Sequence, residues 1–249
     1  MTTPVLRLLD VSKSFGALRV AERLGLEVLA GETHAIIGPN GAGKTSLINQ
    51  ISGALAPDAG RILFEDRDVT HLSMPARAHL GLARAFQITQ VLQRFSALEN
   101  VALAAQAQAG SSFRFWRPAA AEVPLNRAAM QSLAMVELAP RAHTPAGALS
   151  HGEKRRLEIA IALAQAPKLL LLDEPMAGAG VEETRGLIGM LKGLKGRFSI
   201  LLVEHDIEAV FALADRVSVL VDGRIIAAGE PQAVRANAAV RAAYLGEAA

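Results

Sequence analysis

The residues with the clearest chemical signature are Gly38-Pro-Asn-Gly-Ala-Gly-Lys-Thr45, which match the pattern G-x-x-x-x-G-K-[ST]. In such a loop the glycines let the backbone curl, so that successive N–H groups and the N-terminus of the next helix face phosphate oxygens. Lys44 would then lie against the β- and γ-phosphates, and the Thr45 hydroxyl would bind Mg²⁺. The loop residues predicted to contact a nucleotide are Gly38, Pro39, Asn40, Gly41, Ala42, Gly43, Lys44, Thr45 and Ser46.

A second candidate site lies at the end of the apolar run Leu169–Leu172, where Asp173 and Glu174 follow directly. A carboxylate at the end of a buried strand can hold Mg²⁺ through its water shell, and we assign this role to Asp173. Adjacent carboxylates point to opposite sides of an extended backbone, so the two side chains can take different roles. We therefore predict that Glu174 is the base that orients the attacking water.

These residues need a parallel sheet to position them. The segment Thr33–Ile37 is predicted to be a strand that leads into the glycine loop, and a helix is predicted from Lys44 to near Gly53. The other predicted strands are Gly60–Phe64, Lys168–Leu172, Ser199–Val203 and Arg216–Val221, and the other predicted helices are Pro75–Leu80, Glu153–Ala166 and Ile207–Ala214. Strands that alternate with helices indicate an α/β fold with a parallel sheet.

The composition limits the classes of protein to which the chain can belong. Its 249 residues are 51% hydrophobic, and the mean hydropathy is +0.28, yet no apolar run reaches the length of a membrane-spanning helix. The first ten residues lack the basic and apolar segments of a secretory signal, and the absence of cysteine fits a reducing cytosol. The formal charge of +2 argues against a role in binding nucleic acid.

The segment Leu149-Ser-His-Gly-Glu-Lys-Arg-Arg-Leu-Glu-Ile-Ala160 resembles the signature motif of ATP-binding cassette (ABC) ATPases, usually L-S-G-G-Q. By the same resemblance, Gln87 is identified with the Q-loop, which senses metal and water, and His205 with the switch histidine, which contacts the γ-phosphate. Phe15 corresponds to the aromatic residue that stacks on adenine. The resemblance covers essentially the whole chain and implies that the protein hydrolyses ATP with Mg²⁺.

The resemblance also implies that two cassettes pair head to tail. Ser150, Gly152 and Glu153 of one subunit would then meet the nucleotide held by Lys44 and Thr45 of the other subunit. The residues implied as metal ligands are Thr45, Gln87 and Asp173, and those implied as catalytic are Glu174, His205 and Gln87. The physiological dimer could be homomeric or heteromeric.

The implied fold is a P-loop NTPase (RecA-like) α/β core with an antiparallel β-subdomain and an inserted α-helical subdomain. The whole chain, 1–249, would be one ABC ATPase domain. The expected parts are a β-subdomain with the first part of the core at 1–87, a helical subdomain at 88–150, the second part of the core at 151–230, and a helical tail at 231–249.

Three positions depart from the usual ABC pattern. His151 and Glu153 stand where the signature commonly has Gly and Gln, and His151 is expected to constrain the backbone near the nucleotide. Gly180, in the loop Met176-Ala-Gly-Ala-Gly180, replaces an Asp that many ABC proteins use for a contact across the dimer.

One branch of the family fits the sequence best, namely the ATPases of branched-chain amino acid importers. The segments that resemble this branch are Gly81–Gln87, Leu98–Val101, Arg155–Ala160, Met176–Gly180 and Val240–Gly246. The resemblance implies permease subunits in the membrane, a periplasmic solute-binding protein, and a peripheral location on the cytoplasmic face of the inner membrane. The cluster Phe113–Arg117 could contact the permease or the lipid surface, or it could pack on the helical subdomain.

Three alternatives remain open from the sequence. The same branch serves urea, short amides and aromatic acids, so no residue specifies the solute. The ATPases of lipid or lipopolysaccharide exporters are close in sequence. An ABC protein that acts on DNA or ribosomes is disfavoured, because no coiled-coil or zinc insertion and no basic block is present.

Overall fold

The structure is a computed structural model that describes residues 3–85, 91–108 and 123–245, with side chains up to residue 243. Its strands are β1 (Pro4–Phe15), β2 (Leu18–Leu29), β3 (Thr33–Ile37), β4 (Ala59–Phe64), β5 (Arg67–Asp68), β6 (Leu82–Ala85), β7 (Leu169–Asp173), β8 (Ser199–Val203), β9 (Arg216–Val221) and β10 (Arg224–Gly229). Its helices are α1 (Lys44–Ser52), α2 (Met74–Leu80), α3 (Ala97–Gln108), α4 (Val123–Met135), α5 (His151–Leu163), α6 (Val181–Lys192), α7 (Ile207–Leu213), α8 (Pro231–Ala236) and α9 (Ala238–Leu245). Gln87 and the cluster Phe113–Arg117 lie outside the described residues.

Two sheets organise the chain. One is antiparallel, with the order β2-β1-β4-β5, and the other has the order β10-β9-β3-β8-β7-β6. In the second sheet the strands from β9 to β6 run parallel, and β10 pairs antiparallel at the edge. Helices α3 and α4 follow β6 in the chain and pack on each other and on α5. This arrangement confirms the predicted α/β core with an antiparallel β-subdomain and an inserted helical region.

The apolar content of the chain is buried on both faces of the parallel sheet. In β7, Leu170 and Leu172 belong to a core cluster that includes residues of α5 and α6, whereas Leu169 and Leu171 belong to a second cluster with α1 and the antiparallel sheet. Each of these four side chains is fully buried. Strands covered on both faces read as continuous hydrophobic runs. Among the described residues, no helix is long and apolar enough to cross a membrane.

The prediction of a helix at Glu153–Ala166 was wrong at both ends. The Ser150 hydroxyl accepts a hydrogen bond from the Glu153 N–H at 3.2 Å, and the Glu153 carboxylate accepts one from the Ser150 N–H at 2.8 Å. This reciprocal capping box starts α5 at His151. The helix ends at Leu163, and Ala166 has a left-handed backbone (φ 49°) that no helix accommodates.

The C-terminal tail, predicted to be a packing helix from Pro231 to Ala249, forms two short helices instead. Asn237 separates them, because its side-chain oxygen accepts a hydrogen bond from the Ala239 N–H at 2.9 Å and caps the start of α9. Val234 and Val240 are buried, so both helices pack on the body of the protein. Residues 246–249 lie outside the described part of the chain.

Arg77 in α2 holds the C-terminal end of α1. Its side chain is 1% exposed. It donates hydrogen bonds of 2.7–3.0 Å to the carbonyl oxygens of Gln50, Ile51, Thr70 and Leu72. Burial lowers the pKa of Arg77 to about 10, so the guanidinium remains charged at neutral pH. The last carbonyls of a helix have no partner within it, and Arg77 supplies one for the helix that follows the glycine loop.

We expect Arg77→Met to lower the free energy of unfolding by about 3 kcal/mol, because methionine fills similar space but leaves buried carbonyl oxygens without donors. Urea denaturation at pH 7 would measure the change. Arg67→Met is the matched control, since Arg67 is exposed in β5, and should change stability by less than about 0.5 kcal/mol. Equal stability of the two variants would contradict this role for Arg77.

Candidate functional site

The glycine loop lies between the end of β3 and the start of α1, where the sequence predicted it. Lys44 is 6% exposed. Its ammonium group donates hydrogen bonds to the carbonyl oxygens of Gly38 at 2.6 Å and Pro39 at 3.0 Å. These two hydrogen bonds join the lysine side chain to the backbone of the loop. Its positive charge lies at the N-terminus of α1, where the helix dipole and the unpaired N–H groups of the first turn favour an anion.

Close backbone contacts explain two of the glycines in this loop. A Cβ atom at Gly38 would lie 2.1 Å from the Leu220 carbonyl oxygen, and one at Gly43 would lie 2.2 Å from the Val20 carbonyl oxygen. Gly41 differs, since it has a left-handed backbone (φ 81°) and open space around the position of a Cβ. The backbone of the loop therefore packs against β9 at Gly38 and against β2 at Gly43, whereas no atom lies close to the Cβ position of Gly41.

Other residues of the loop are accessible from the same region. Asn40 and Thr45 are exposed, Pro39 and Ser46 are partly buried, and Ala42 is buried. The first N–H groups of α1 have no acceptor within the helix, and the N-cap residue, Gly43, provides no side-chain acceptor for them. Backbone N–H groups, the Lys44 ammonium group and the Thr45 hydroxyl group thus lie together at the start of α1.

Asp173 ends β7, as predicted, and its carboxylate is paired with an arginine. The Arg84 guanidinium donates to Asp173 Oδ2 at 2.9 Å, and the two side chains are 9% and 2% exposed. Arg84 also donates to Asn49 Oδ1 at 2.7 Å and to the Ser52 hydroxyl at 3.2 Å, both in α1. Arg84 therefore links the candidate metal residue to the helix that begins at the phosphate loop.

The backbone at Glu174 differs from the sequence prediction. We predicted an extended backbone that directs Asp173 and Glu174 to opposite sides, but Glu174 has a left-handed conformation (φ 47°). Its N–H donates to the Val203 carbonyl at 2.9 Å, so the pairing with β8 continues to the residue after the end of β7. A left-handed residue other than glycine costs of the order of 1 kcal/mol.

His205 follows β8 on a neighbouring strand, so its loop emerges at the same edge of the sheet as Glu174. Its side chain is 58% exposed, with Nδ1 3.8 Å from Glu204 Oε2. Asp206 caps the next helix, α7, by accepting a hydrogen bond from the Ala209 N–H at 3.1 Å. The histidine thus lies in a turn that the Asp206 cap holds in place, and its ring is accessible to a ligand.

The signature residues form the N-terminus of α5. Ser150 is exposed, and because its oxygen accepts the capping hydrogen bond, its hydrogen can be donated to another acceptor. The carboxylate of Glu153 is used by the cap and by Arg141, whose Nε lies 3.1 Å away. A Cβ at Gly152 would lie 1.8 Å from Glu183 Oε1, so glycine makes room for the side chain of α6.

Two of the three departures from the ABC pattern, His151 and Gly180, lie at helix N-termini with ordinary backbone geometry. His151 is the first residue of α5 and is absent from the residues with positive φ, so this position does not need glycine. The expected constraint on the backbone is therefore that of an ordinary helix. Gly180 is the N-cap of α6 in an extended conformation, with no atom within 4 Å of a Cβ position.

Phe15, the candidate adenine platform, lies at the tip of the β1–β2 hairpin. Its ring is 51% exposed, and Lys13 Nζ lies 5.6 Å from the ring centroid. An exposed ring of this kind can accept a stacked base. Gln87, predicted to sense metal and water, lies outside the described residues.

Three charged residues near the site were missed from the sequence. Arg84 interrupts the apolar strand β6, and a charge in a buried strand requires a partner. Glu204 is completely buried directly before His205. Arg155, in the second turn of α5, donates a long hydrogen bond of 3.4 Å to the Ala177 carbonyl in the loop after Glu174. Of these three residues, only Arg84 could have been found from the sequence, because a charge within an apolar strand indicates a buried partner.

No group of three or more His, Asp or Glu side chains in residues 3–85, 91–108 and 123–243 is arranged to hold a metal ion. A glycine loop between a strand and a helix, with an acid at the end of a nearby parallel strand, defines a P-loop nucleotide-binding protein.

Comparison with known proteins places the chain within this class. Residues 21–177 match the family model described as ABC transporter, and residues 224–249 match one described as branched-chain amino acid ATP-binding cassette transporter. The chain belongs to the ABC transporter ATP-binding family, and it is an ATPase of that family.

Two curated relatives and one solved structure illustrate this similarity. The high-affinity branched-chain amino acid transport ATP-binding protein LivG of Escherichia coli (strain K12) is 36% identical over 100% of both chains. The lipopolysaccharide export system ATP-binding protein LptB of Acidithiobacillus ferridurans is 33% identical over 94% of both chains. The crystal structure of the ADP conformation of MJ1267, an ATP-binding cassette of an ABC transporter, has a TM-score of 0.86 and 31% identity, covering 98% of this chain and 100% of that chain.

Proposed function

We propose that the chain is the ATPase subunit of an importer for branched-chain or other hydrophobic amino acids. The observation that carries this proposal is the match of residues 224–249 to the branched-chain amino acid cassette model. It is supported by the similarity to LivG over the full length of both chains. The subunit would work at the cytoplasmic face of the inner membrane, with permease subunits and a periplasmic solute-binding protein.

The candidate site residues would have separate roles in ATP hydrolysis. Lys44 and the N–H groups at the start of α1 hold the phosphates, and Phe15 stacks on the adenine. Glu174 accepts a proton from the attacking water, and His205 contacts the γ-phosphate. Bound Mg²⁺ would supply positive charge for the phosphate oxygens, and the residues suited to hold it are Thr45, Asp173 and Gln87.

Two cassettes would share each nucleotide, in a homodimer or a heterodimer. Ser150 offers a hydroxyl group at an exposed helix N-terminus, and its hydrogen-bond partner within the chain is Glu153 of the same helix. An anion brought by another subunit suits this position. ATP binding would close the dimer, and hydrolysis would reopen it and move the attached permease subunits.

The helical subdomain offers a surface for a permease. A groove of about 560 Å³ runs along α3 and α4 and is lined by apolar and polar side chains, among them Phe95, Leu103, Leu125 and Asn126. Phe95 and Leu103 are 41% and 39% exposed. Exposed apolar residues with polar neighbours are typical of a protein interface.

A second candidate function is supported by the similarity to LptB, which is named for lipopolysaccharide export. Importers of urea, short amides or aromatic acids share the same cassette type. A role on nucleic acid has little support, because the formal charge is only +2.

Uptake into proteoliposomes tests the proposal. The chain, its membrane subunits and its solute-binding protein would be reconstituted with ATP, and radiolabelled leucine uptake should exceed that of the matched Lys44→Ala complex at least about tenfold. Excess valine or isoleucine should suppress uptake, whereas urea should not. Uptake of urea or an aromatic acid in place of leucine, or extraction of lipopolysaccharide from the vesicles, would contradict the proposal.

A further inference from the structure

Glu204 is a buried carboxylate for which the roles assigned above give no reason. It follows the apolar strand β8, and its exposed fraction is 0%. One oxygen, Oε1, accepts a hydrogen bond from the Met176 N–H at 2.7 Å, and the other, Oε2, accepts one from the His205 N–H at 3.1 Å. Both oxygens are therefore used by backbone donors from two different loops.

These contacts bring three functional segments together at one residue. Met176 lies in the loop that begins at Glu174, and His205 is the candidate switch histidine. The N–H of Glu204 itself donates to the Ile36 carbonyl at 3.3 Å, in the strand that leads into the phosphate loop. Glu204 thus contacts the segments that carry the phosphate loop, the base and the histidine.

A carboxylate at this position is costly for stability. Burial raises the pKa of Glu204, and the N–H groups of Met176, His205 and Asp206 only partly offset this effect. The preceding residues, Ile200–Val203, are apolar and buried, so an apolar residue would continue the strand without removing a charge from water. Stability alone therefore does not explain why glutamate occupies position 204.

We propose that Glu204 is a positioning residue that holds His205 and the loop after Glu174 in one fixed relation. The base and the histidine must act on the same water and phosphate, so an error of about 1 Å between them is costly. Two hydrogen bonds that one buried carboxylate accepts from backbone N–H groups set this relation within each chain. The inference rests on the roles proposed for Glu174 and His205.

Glu204→Gln tests the proposal in the full chain assembled with its membrane subunits. Glutamine keeps the size of the side chain but presents an NH₂ group to one of the two backbone donors. We expect kcat for ATP to fall about tenfold, whereas KM for ATP and the affinity for ADP should change less than about twofold. Glu208→Gln is the matched control, since Glu208 is exposed on α7 and should leave both kinetic constants unchanged.

A double-mutant cycle separates positioning from a general structural role. If Glu204 acts through His205, Glu204→Gln should change kcat by less than about twofold in a His205→Ala background. Independent, multiplying effects of the two substitutions, or a loss confined to KM and thermal stability, would overturn the proposal. A low kcat for His205→Ala with normal kcat for Glu204→Gln would overturn this inference alone. Normal kcat for His205→Ala would overturn the histidine assignment as well.

A second variant covers the case in which Glu204→Gln does not fold. Glu204→Asp keeps both carboxylate oxygens on a shorter side chain, so both loops should fold but their spacing should change. We expect the same loss of kcat with normal ADP affinity. Wild-type turnover in this variant would overturn the proposal, because it would show that the loops do not depend on the reach of Glu204.

Discussion

Glu174→Gln is expected to lower ATP turnover at least about tenfold and to leave ATP bound in a closed dimer. Glutamine has almost the same size as glutamate and can adopt the same left-handed backbone, but it cannot accept the proton of the attacking water. General bases contribute factors of about 10² to 10⁴ to enzyme rates, so the loss should be large. The phosphate loop is unchanged in this variant, so nucleotide binding should persist.

Phosphate release at saturating ATP and Mg²⁺ would measure the turnover of this variant, and light scattering would measure the dimer. Glu182→Gln is the matched control, since Glu182 is exposed in the first turn of α6. Its turnover should equal that of the wild type. Wild-type turnover in Glu174→Gln would show that another group is the base.

Mixing Lys44→Ala chains with Ser150→Arg chains should restore ATP hydrolysis that neither variant has alone. If each site combines Lys44 of one subunit with Ser150 of the other, a mixed dimer has one site with both defects and one intact site. Random pairing gives mixed dimers in half of the population, so the recovered rate should be about a quarter of the wild-type rate. Phosphate release before and after mixing would measure this recovery.

The mixing experiment has its own controls. Ser150 is exposed, so arginine can be placed there without burying its charge, and thermal denaturation would verify that both variants fold. Mixing each variant with itself should give no recovery. Hydrolysis that persists in a demonstrated monomer would contradict the shared site.

The position of the nucleotide loop and the places of several core strands along the chain could be predicted because their signals are local. The glycines, Lys44 and the apolar run before Asp173 are adjacent in sequence, and the structure has the strands and α1 where these patterns indicated. The start of α5 is also encoded locally, by the capping box that Ser150 and Glu153 form.

The remaining features depend on residues that are far apart in sequence. The contact between Arg84 and Asp173 arises because β6 and β7 are neighbours in the sheet, which no local pattern specifies. The left-handed backbone of Glu174 is held by the Val203 carbonyl of β8. The role of Glu204 likewise follows only when the loops after β7 and β8 lie at one edge.

The two positive charges that lie at the ends of α1 are buried, which affects how phosphate binding responds to ionic strength. Arg77 lies at the C-terminal end of this helix and Lys44 at its N-terminal end, and both are buried. Mobile ions screen exposed charges strongly but buried charges much less. We therefore expect the attraction between this helix and a bound phosphate group to depend less on salt concentration than binding to an exposed charged surface does.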